Sequence, residues 1–476
     1  MLGHSIRRQG WDIWRTGRRR SKAIQATQHR RLADLVAFAR ARSPFYQRLY
    51  QHLTQPIDHL QELPPVIKAD LMDQFDAWLT DPAVTRTQVE AFTADKSQVG
   101  QDFLDRYSVW TTSGTTGSPG IFLHDQAARS VYDQLILLRG VPGWLSPRTL
   151  AGLLRRPFGI AFLITTGAHF AGEAFAENAR NRSPWLSSRF RIFSVLAPMS
   201  ELVAQLNQFR PAVMAGYPTA LWMMANQKQQ GKLDIAPRLL MSTSEWLDPT
   251  ARATIERTFT AKLNDMYGAS EFPCIAFTCK HNRLHLNQDW VILEPVDDAF
   301  QPVPPGKPSH TVLLTNLANR IQPIIRYDLG DSLTMLPEPC PCGSRLPALR
   351  VEGRQDEILS LASPQGGRIQ LLPMALATVV EETPGVMRYQ IIQTAPEALK
   401  IRFDTVSGAD QAQVWQAAAY RMQQYLAGQG LPSVRVMKGD QPPQRDPTTG
   451  KLRQVYADMD DAPQKETIAT DHGSRR

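Results

Sequence analysis

The sequence predicts an α/β fold with a large amino-terminal domain and a smaller carboxy-terminal domain of α+β type. The chain has 476 residues, which exceeds one ordinary hydrophobic core and indicates two to three domains. From residue 107 onward, short apolar runs alternate with segments of helical periodicity, which is the pattern of a layered α/β domain. These apolar runs lie at residues 107–110, 159–164, 212–214, 239–242 and 312–314.

Residues 1–60 are predicted to form a helical amino-terminal segment of the large domain. Its helical spacing is carried by Leu32, Leu35, Val36 and Ala39. The pattern stops at Pro44, because the residue before a proline disfavours helical geometry. Residues 63–68 are read as a proline-punctuated connection to the next amphipathic stretch.

A polar stretch at residues 352–356 marks the predicted domain boundary. A helix-like segment at 374–382 and a strand-like segment at 388–394 follow it. We therefore predict a large domain over residues 1–353, a small domain over residues 354–458 and a disordered, charged tail over residues 459–476.

The net charge of +8 comes largely from a basic run within residues 7–31. We interpret this run, which includes Arg31, as a solvated helix face, because a charge run alone is not specific for nucleic acid. No nucleic-acid partner is expected. Trp11 and Trp14 lie among the arginines, which leaves a weak contact with a membrane surface open.

The predicted location is the cytoplasm. The amino terminus lacks the apolar core of a secretory signal. The uncharged stretch at 157–172 is shorter than a bilayer-spanning helix, so no transmembrane segment is expected. Four cysteines in this length fit a reducing compartment or a metal site better than a disulfide-stapled protein.

The most informative motif is a loop of glycines and hydroxyl residues at 111–120, Thr-Thr-Ser-Gly-Thr-Thr-Gly-Ser-Pro-Gly. Glycines allow a tight turn whose N–H groups face an anion, and hydroxyl groups add donors. A Walker A loop is excluded, because Gly117 is followed by Ser118 and not by lysine. A flexible surface loop is the alternative. The candidate phosphate-binding residues are Thr112, Ser113, Gly114, Thr115, Thr116 and Gly117.

Six further segments follow this loop in a fixed order, at residues 215–218, 242–245, 266–271, 326–331, 353–356 and 449–451. With it they resemble, across residues 60–455, the adenylate-forming enzymes of the phenylacetate-CoA ligase and coenzyme F390 synthetase-like branch. The resemblance implies a large multilayered α/β domain of adenylate-forming type and a small mobile carboxy-terminal domain.

The activity implied by the resemblance is that of an acid-thiol ligase. ATP would activate a carboxylic acid, aromatic or arylacetic by analogy, as acyl-AMP, and coenzyme A would accept the acyl group. Transfer to an amine, a hydroxyl or a carrier-protein thiol is one alternative, and a non-catalytic nucleotide-binding homologue is another. A homodimer stays open.

The catalytic roles implied by the resemblance fall on three residues. Uniting ATP with a carboxylate requires neutralisation of charge at the α-phosphate, which is assigned to Lys451. The hydroxyl of Ser270 would meet the phosphate or the carboxylate, and Glu271 would hold magnesium.

The nucleoside contacts are also implied by the resemblance. Tyr267, beside Gly268, would stack on adenine, and Asp331 would bind the ribose hydroxyls with support from Arg354. Two residues, Ser244 and Glu245, would border the adenine pocket, although Glu245 could equally face solvent. Asp356 corresponds to the interdomain hinge.

The acid pocket is predicted, by the same resemblance, from six residues: Thr166, Gly167, Gly216, Tyr217, Pro218 and Ala269. Two departures from the family pattern stand out. Gly120 replaces a lysine or threonine at the end of the phosphate loop. Residues 359–370 lack the Gly-x-Asn signature of phenylacetate ligases, which makes coenzyme A less secure as acceptor than adenylation itself.

A structural zinc site is predicted from three thiols and one imidazole. The candidate ligands are Cys279, His285, Cys340 and Cys342. Four protein ligands leave no open position for water, so the role would be structural. Cys274 or His281 could replace one ligand, and reduced thiols with packing roles are the alternative to a metal.

Overall fold

The computed structural model of the chain describes residues 10–13, 15, 21–53, 60–112, 120–141, 158–352, 358–444 and 453–459. The chain divides into two compact units, Met1–Gln355 and Asp356–Arg476. This division lies two residues from the boundary expected at 353/354. Among the described residues, no helix is long and apolar enough to cross a bilayer.

The amino-terminal part of the large unit is helical. Its helices are α1 (Ser21–Arg42), α2 (Pro44–Leu49), α3 (Lys68–Asp73), α4 (Phe75–Trp78) and α5 (Arg86–Ala94). The break between α1 and α2 occurs at the predicted proline. The Ser43 hydroxyl accepts a hydrogen bond from the N–H of Tyr46, and Pro44 takes the first helical position, where no N–H is needed.

The interpretation of the basic run as a solvated face is wrong for Arg31. Its side chain is only 11% exposed. The guanidinium lies 3.4 Å from the ring centroid of Trp290 and 3.7 Å from Asp289, which is fully buried. Arg31 therefore attaches α1 to the body of the large unit, because cation–π and ionic contacts are strong where water is excluded.

Strands and helices then alternate, which confirms the predicted α/β class. The first elements are β1 (Tyr107–Thr111), β2 (Ile121–Asp125), α6 (Gln126–Leu135), β3 (Ile160–Ile164), α7 (Ala171–Arg182), α8 (Pro184–Ser187), β4 (Phe190–Ser194), α9 (Met199–Phe209), β5 (Val213–Gly216), α10 (Pro218–Gln229), β6 (Leu239–Thr243), α11 (Pro249–Phe259) and β7 (Leu263–Ala269). The strands that follow are β8 (Phe272–Thr278), β9 (Leu284–Leu286), β10 (Val291–Val296), β11 (Thr311–Asn316), β12 (Tyr327–Asp328), β13 (Leu333–Leu336) and β14 (Ala348–Val351).

The centre of the large unit is a nine-stranded sheet in the order β13-β14-β9-β8-β7-β6-β5-β3-β4. The five strands from β7 to β4 run parallel to one another, and the others pair antiparallel. The chain reverses its direction of travel across the sheet at β3, which lies between β4 and β5. Segments at the carboxyl ends of parallel strands meet at one edge, and such a reversal is where open α/β sheets bind ligands.

An aromatic core lies beneath the hairpin of β1 and β2. Trp78 packs edge-on against Phe122 at a centroid distance of 6.2 Å, and Tyr132 packs against Phe272 at 5.0 Å. All four rings are fully buried. The hairpin that carries the glycine loop therefore stands on a rigid base.

The small unit has its own sheet and core. Its elements are β15 (Leu359–Ala362), β16 (Arg368–Leu371), α12 (Pro373–Glu381), β17 (Val386–Ala395), β18 (Ala398–Thr405), α13 (Gln411–Gly428), β19 (Arg435–Lys438) and β20 (Val455–Ala457). Four strands form a sheet in the order β19-β18-β17-β20, and β15 pairs with β16 in a hairpin that turns at Gly366 and Gly367. The buried amide of Gln390 bonds the carbonyl groups of Gln444 and Arg453, at 2.9 and 2.8 Å.

Candidate active site

The neck of the glycine loop is held closed by hydrogen bonds. Thr111 pairs with Ile121 at the end of the β1–β2 ladder. One step further, the N–H of Thr112 donates to the carbonyl of Gly120, and the N–H of Gly120 donates to Thr112 Oγ1, both at 2.9 Å. The remaining loop candidates lie outside the described residues, and their phosphate role stays a prediction: Ser113, Gly114, Thr115, Thr116 and Gly117.

The turn between β7 and β8 presents the predicted adenine and magnesium residues. The pairing of these strands shifts register between Tyr267 and Ala269, at Gly268. A Cβ on Gly268 would lie 2.0 Å from the carbonyl oxygen of Pro273, so no other residue fits without movement of the backbone. This bulge sets the direction of Tyr267 before the chain reaches Glu271.

Glu271 is a buried carboxylate, only 5% exposed. Burial raises its pKa, while a hydrogen bond from Tyr327 and the positive charge of Lys68 act in the opposite direction. A buried carboxylate beside Lys68, which donates to Thr112 at the loop neck, is a suitable ligand for a hard divalent cation. The residues present therefore fit magnesium.

Tyr267 and Asp331 are brought together, as the resemblance implies for an adenine and ribose site. The hydroxyl of Tyr267 is 2.7 Å from Asp331 Oδ2. Burial first, and the Asp331 carboxylate second, hold the pKa of Tyr267 well above its ordinary value. The hydroxyl therefore keeps its proton at neutral pH and acts as the donor.

A buried polar network behind this turn was missed in the sequence. His124 Nε2 is 2.9 Å from the carbonyl of Ser270, and His124 Nδ1 is 3.1 Å from the hydroxyl of Tyr132. Asn316 Nδ2 donates to the carbonyl of Glu271 at 2.8 Å and to the Tyr132 hydroxyl at 3.0 Å. The two backbone carbonyls of the predicted catalytic pair are thus fixed from behind.

The proton of His124 follows from its partners. Burial lowers the pKa of His124 to about 3, so the ring is neutral at neutral pH and carries one N–H. A carbonyl can only accept, so Nε2 holds the proton and donates to Ser270, while Nδ1 accepts from Tyr132. The sequence signal was a histidine within a buried apolar strand, Ile121–Asp125.

The predicted acid-pocket residues lie at the carboxyl edge of the parallel strands. Thr166 and Gly167 follow β3, Gly216 ends β5 before Tyr217 and Pro218, and Ala269 ends β7. The hydroxyl of Tyr217 bonds Thr165 Oγ1 at 2.6 Å, which ties the ends of β3 and β5 together.

Gly216 makes this strand end possible. Its φ is +152°, and a Cβ would lie 2.3 Å from the carbonyl oxygen of Leu163 on the neighbouring strand. Only glycine fits such a close approach. The structure gathers the predicted residues at this edge, and their contact with an acid stays a prediction.

Glu245 faces the protein and not only solvent. Its Oε2 accepts hydrogen bonds from the N–H of Thr219 at 3.1 Å and from the Thr219 hydroxyl at 2.7 Å, at the start of α10. A carboxylate there is favoured by the unpaired N–H groups of the first helical turn. Ser244 is exposed, with a left-handed φ of +72°. The remaining predicted residues also lie outside the described part of the chain: Arg354, Asp356 and Lys451.

The four predicted zinc ligands converge. The donor atoms of Cys279, His285, Cys340 and Cys342 lie within 4.8 Å of one another. Cys279 Sγ is 3.6 Å from Cys340 Sγ, close to the roughly 3.8 Å expected between two thiolates on one tetrahedral zinc.

The ligand orientation also fits zinc. His285 Nδ1 is 2.9 Å from the carbonyl of Leu346, so Nδ1 carries the proton and Nε2, which is 3.3 Å from Cys342 Sγ, presents its lone pair to the cluster. The alternative ligand Cys274 is buried elsewhere, with its thiol 3.7 Å from the carbonyl of Tyr132. Zinc itself stays a prediction.

Comparison with known proteins gives one curated relative and a set of related structures. No protein-family model matches the chain. A phenylacetate-coenzyme A ligase of Thermus thermophilus is 24% identical over 390 residues, 78% of this chain and 78% of that protein. A 2-hydroxyisobutyryl-CoA ligase solved with 2-HIB-AMP and CoA in the thioesterification state has a TM-score of 0.57 and 21% identity, over 93% of this chain and 91% of that chain. A postadenylation structure of such a ligase with 2-HIB-AMP has a TM-score of 0.55 and 21% identity, over 94% and 92%.

Proposed function

We propose, on the premise that this chain has the fold of the adenylate-forming CoA ligases and is related to phenylacetate-coenzyme A ligase, that it is an acid-thiol ligase. It would activate a carboxylic acid with ATP as acyl-AMP and then transfer the acyl group to coenzyme A. The observation that carries the proposal is the group formed by Glu271, Tyr267 and Asp331 at the carboxyl edge of the parallel strands, with Lys68 joining it to the loop neck.

Each residue of the site is proposed to bind a different part of ATP. Magnesium held by Glu271 would neutralise charge on the phosphates. The ring of Tyr267 would stack on adenine, while Asp331 would accept hydrogen bonds from the ribose hydroxyls with the support of Arg354. Lys451 would neutralise the charge that develops at the α-phosphate during attack by the carboxylate, and Ser270 would donate to the same oxygens.

The acid is proposed to be aromatic or arylacetic. This rests on the curated relative, which is a phenylacetate-coenzyme A ligase, and on the pocket residues at the ends of β3 and β5. The 2-hydroxyisobutyryl-CoA ligases with the same fold act on a small hydroxy acid, so a short-chain acid belongs in any test.

Transfer to another acceptor is the second candidate function. The segment after the predicted hinge is a tight hairpin of β15 and β16 and lacks the Gly-x-Asn signature associated with the thiol tunnel. An amine, hydroxyl or carrier-protein thiol would then replace coenzyme A. A non-catalytic homologue is disfavoured, because Glu271, Asp331, Arg354 and Lys451 are all present.

We further propose a structural zinc ion at Cys279, His285, Cys340 and Cys342, and a cytoplasmic location. The zinc site is supported by the four donor atoms that the fold places within 4.8 Å of one another, and the location by a cysteine content too low for a disulfide-stapled protein.

The decisive experiment is acid-dependent exchange of pyrophosphate into ATP across aryl, arylacetic, short hydroxy, fatty and amino acids. Lys451→Ala is the inactive variant, and Lys307→Ala, a change at an exposed lysine, is its matched control. We expect exchange with one acid class, retained by the control and lost in Lys451→Ala. Exchange with no acid would refute adenylation, and exchange that persists in Lys451→Ala would refute the role of that lysine.

The acceptor is tested separately, by AMP release with the active acid. Stimulation by coenzyme A would support the acid-thiol ligase. Stimulation by an amine or carrier protein without any effect of coenzyme A would favour the second candidate function.

A further inference from the structure

The glycine loop closes at Gly120, where a side chain would have to displace its neighbours. A Cβ on Gly120 would lie 2.7 Å from Phe122 Cε2, 2.8 Å from Thr112 Oγ1 and 3.0 Å from Lys68 Cε. Part of the space beside Gly120 is thus filled by Lys68, which comes from a different part of the chain. Residue 120, where the family pattern has a lysine or a threonine, carries no side chain here, and Lys68 of α3 lies beside it.

The ammonium group of Lys68 joins the loop neck to the acidic group of the site. Lys68 Nζ donates to Thr112 Oγ1 at 3.1 Å. Lys68 also lies close enough to the Glu271 carboxylate for the two opposite charges to interact. A cation in this position faces the two places where phosphate and its metal ion are proposed to bind.

The segment that carries Lys68 is anchored firmly. The N–H of Val66 donates to the carbonyl of Arg326 at 3.0 Å, and the N–H of Asp328 donates to the carbonyl of Val66 at 2.9 Å. These bonds form a parallel bridge with Tyr327, the residue that hydrogen-bonds Glu271. The same bridge therefore fixes both Lys68 and the partner of Glu271.

Arg326 adds a second anchor. Its buried guanidinium donates to the carbonyl groups of Gln61 and Leu63 and pairs with Glu294 at 3.0 Å. Arg326 itself has a left-handed φ of +50°. Side-chain entropy is the main cost of ordering a lysine, and a fixed backbone lowers the remaining cost of placing it.

We propose that Lys68 is a phosphate-binding residue, whose ammonium group supplies the positive charge that the loop lacks at Gly120 and contacts phosphate oxygens of ATP. This rests on the proposed function for the identity of the ligand. An ammonium group has three N–H donors and can therefore bind a hydroxyl and a phosphate oxygen at the same time. If Lys68 only stabilised the loop neck, its substitution would weaken the binding of adenosine and of ATP equally.

The test compares ligands that differ in phosphate. Calorimetric titration with ATP and with adenosine, in the presence of Mg²⁺, would be performed on the full chain and on Lys68→Ala, Lys68→Gln and Lys68→Arg. Lys307→Ala serves as the matched control. We expect Lys68→Ala and Lys68→Gln to bind ATP at least about ten-fold more weakly, the effect of losing one charge-assisted hydrogen bond, with adenosine affinity unchanged. Lys68→Arg should retain most of the ATP affinity.

Two results would overturn the inference: unchanged ATP affinity in both neutral variants, or an equal loss for ATP and adenosine. Thermal unfolding of each variant identifies a folding defect, and Lys68→Gln, which keeps most of the side-chain volume without the charge, keeps the test valid if Lys68→Ala unfolds. A chain that never exchanges pyrophosphate yet loses ATP affinity selectively on substitution of Lys68 would refute adenylation and support the inference. Pyrophosphate exchange by the wild type, with unaltered ATP affinity in the Lys68 variants, would support adenylation and refute the inference.

Discussion

The hydroxyl of Tyr267 donates a hydrogen bond to Oδ2 of Asp331, 64 residues later in the chain and 2.7 Å away. The two residues assigned to the base and to the sugar of ATP therefore hold each other. The Tyr267 hydroxyl orients Asp331, and such preorganisation would lower the entropy that nucleotide binding must offset. A substitution that breaks this hydrogen bond should therefore weaken the contacts to adenine and to ribose together.

Tyr267→Phe is expected to weaken ATP and adenosine equally, by about five-fold, because the ring remains but Asp331 loses one donor worth ~1 kcal/mol. Calorimetric titration with both ligands measures the effect. Tyr107→Phe is the matched control, since the Tyr107 hydroxyl donates to Asp81 at 2.8 Å at the start of β1, away from the loop neck. A loss confined to ATP, or an equal loss in the control, would contradict this interpretation.

Asn316→Ala is expected to raise the concentration of Mg²⁺ needed for pyrophosphate exchange by roughly ten-fold, because the carbonyl of Glu271 loses a buried donor worth 1–3 kcal/mol. Adenosine affinity should change little. The control is Asn207→Ala, because the Asn207 amide also bonds a backbone carbonyl, that of Lys232, but at the amino-terminal edge of the parallel strands. An unchanged Mg²⁺ requirement in a folded Asn316→Ala would show that Glu271 is positioned without this contact.

Removal of zinc is expected to destabilise the large unit. The purified chain should contain one equivalent of zinc by elemental analysis, and Cys279→Ser should contain little. A strong chelator should lower the melting temperature by several degrees, on the order of the shift caused by a loss of 1–3 kcal/mol. Cys274→Ala should keep its zinc, since that thiol lies outside the cluster. A wild-type chain that contains no zinc, and whose melting temperature a chelator does not change, would indicate reduced thiols with packing roles and no metal site.

Asp265 predicts an unusual dependence of stability on pH. Burial raises its pKa to about 6 from an ordinary value of 3.8, and hydrogen bonding by Ser242 opposes the shift only in part. The folded chain then binds more protons than the unfolded chain between about pH 4 and pH 6, so the contribution of Asp265 to stability falls as pH rises through this window. The loss reaches at most about 3 kcal/mol above pH 6.

Asp265→Asn should remove this fall. Denaturant unfolding at pH 4.5 and 7.5 measures the difference in free energy, and the variant should show a smaller drop than the wild type. The exposed Asp234→Asn is a suitable control, because its side chain is 84% exposed and carries no such burial effect. Identical pH dependence in the wild type and Asp265→Asn would contradict the assignment.

The sequence predicted those parts of the site that follow from local pattern. Glu271 and Gly216 were predicted from the resemblance of residues 266–271 and 215–218 to family motifs, and the structure places both at or just after the ends of strands in one sheet. The cluster of Cys279 and Cys340 was found because ligand types are few and their spacing is informative. The α/β class followed from the alternation of apolar runs and helical periods.

The remaining parts depend on contacts between distant segments. His124 and Asn316 support Ser270 and Glu271 from other strands, and neither carries a local signature beyond being polar in an apolar run. Lys68 stands in a segment that pattern alone reads as a connection. Arg31, interpreted as part of a solvated run, is buried because it contacts Trp290 and Asp289, and Asp289 lies 258 residues later in the chain. Such pairings are decided by tertiary packing and cannot be seen in periodicity.

The anchoring of residues 61 and 63 by Arg326 has a consequence for biosynthesis. These partners lie 265 and 263 residues apart along the chain. Contacts of such high sequence separation form late, because the entropy of closing the loop is lost before the contact is gained. The helical amino-terminal segment leaves the ribosome long before Arg326 is synthesised. Until then, the apolar side chains that it later buries remain exposed to solvent. Chaperone dependence during translation, relieved once residue 330 has emerged, is the expected behaviour of a chain built in this order.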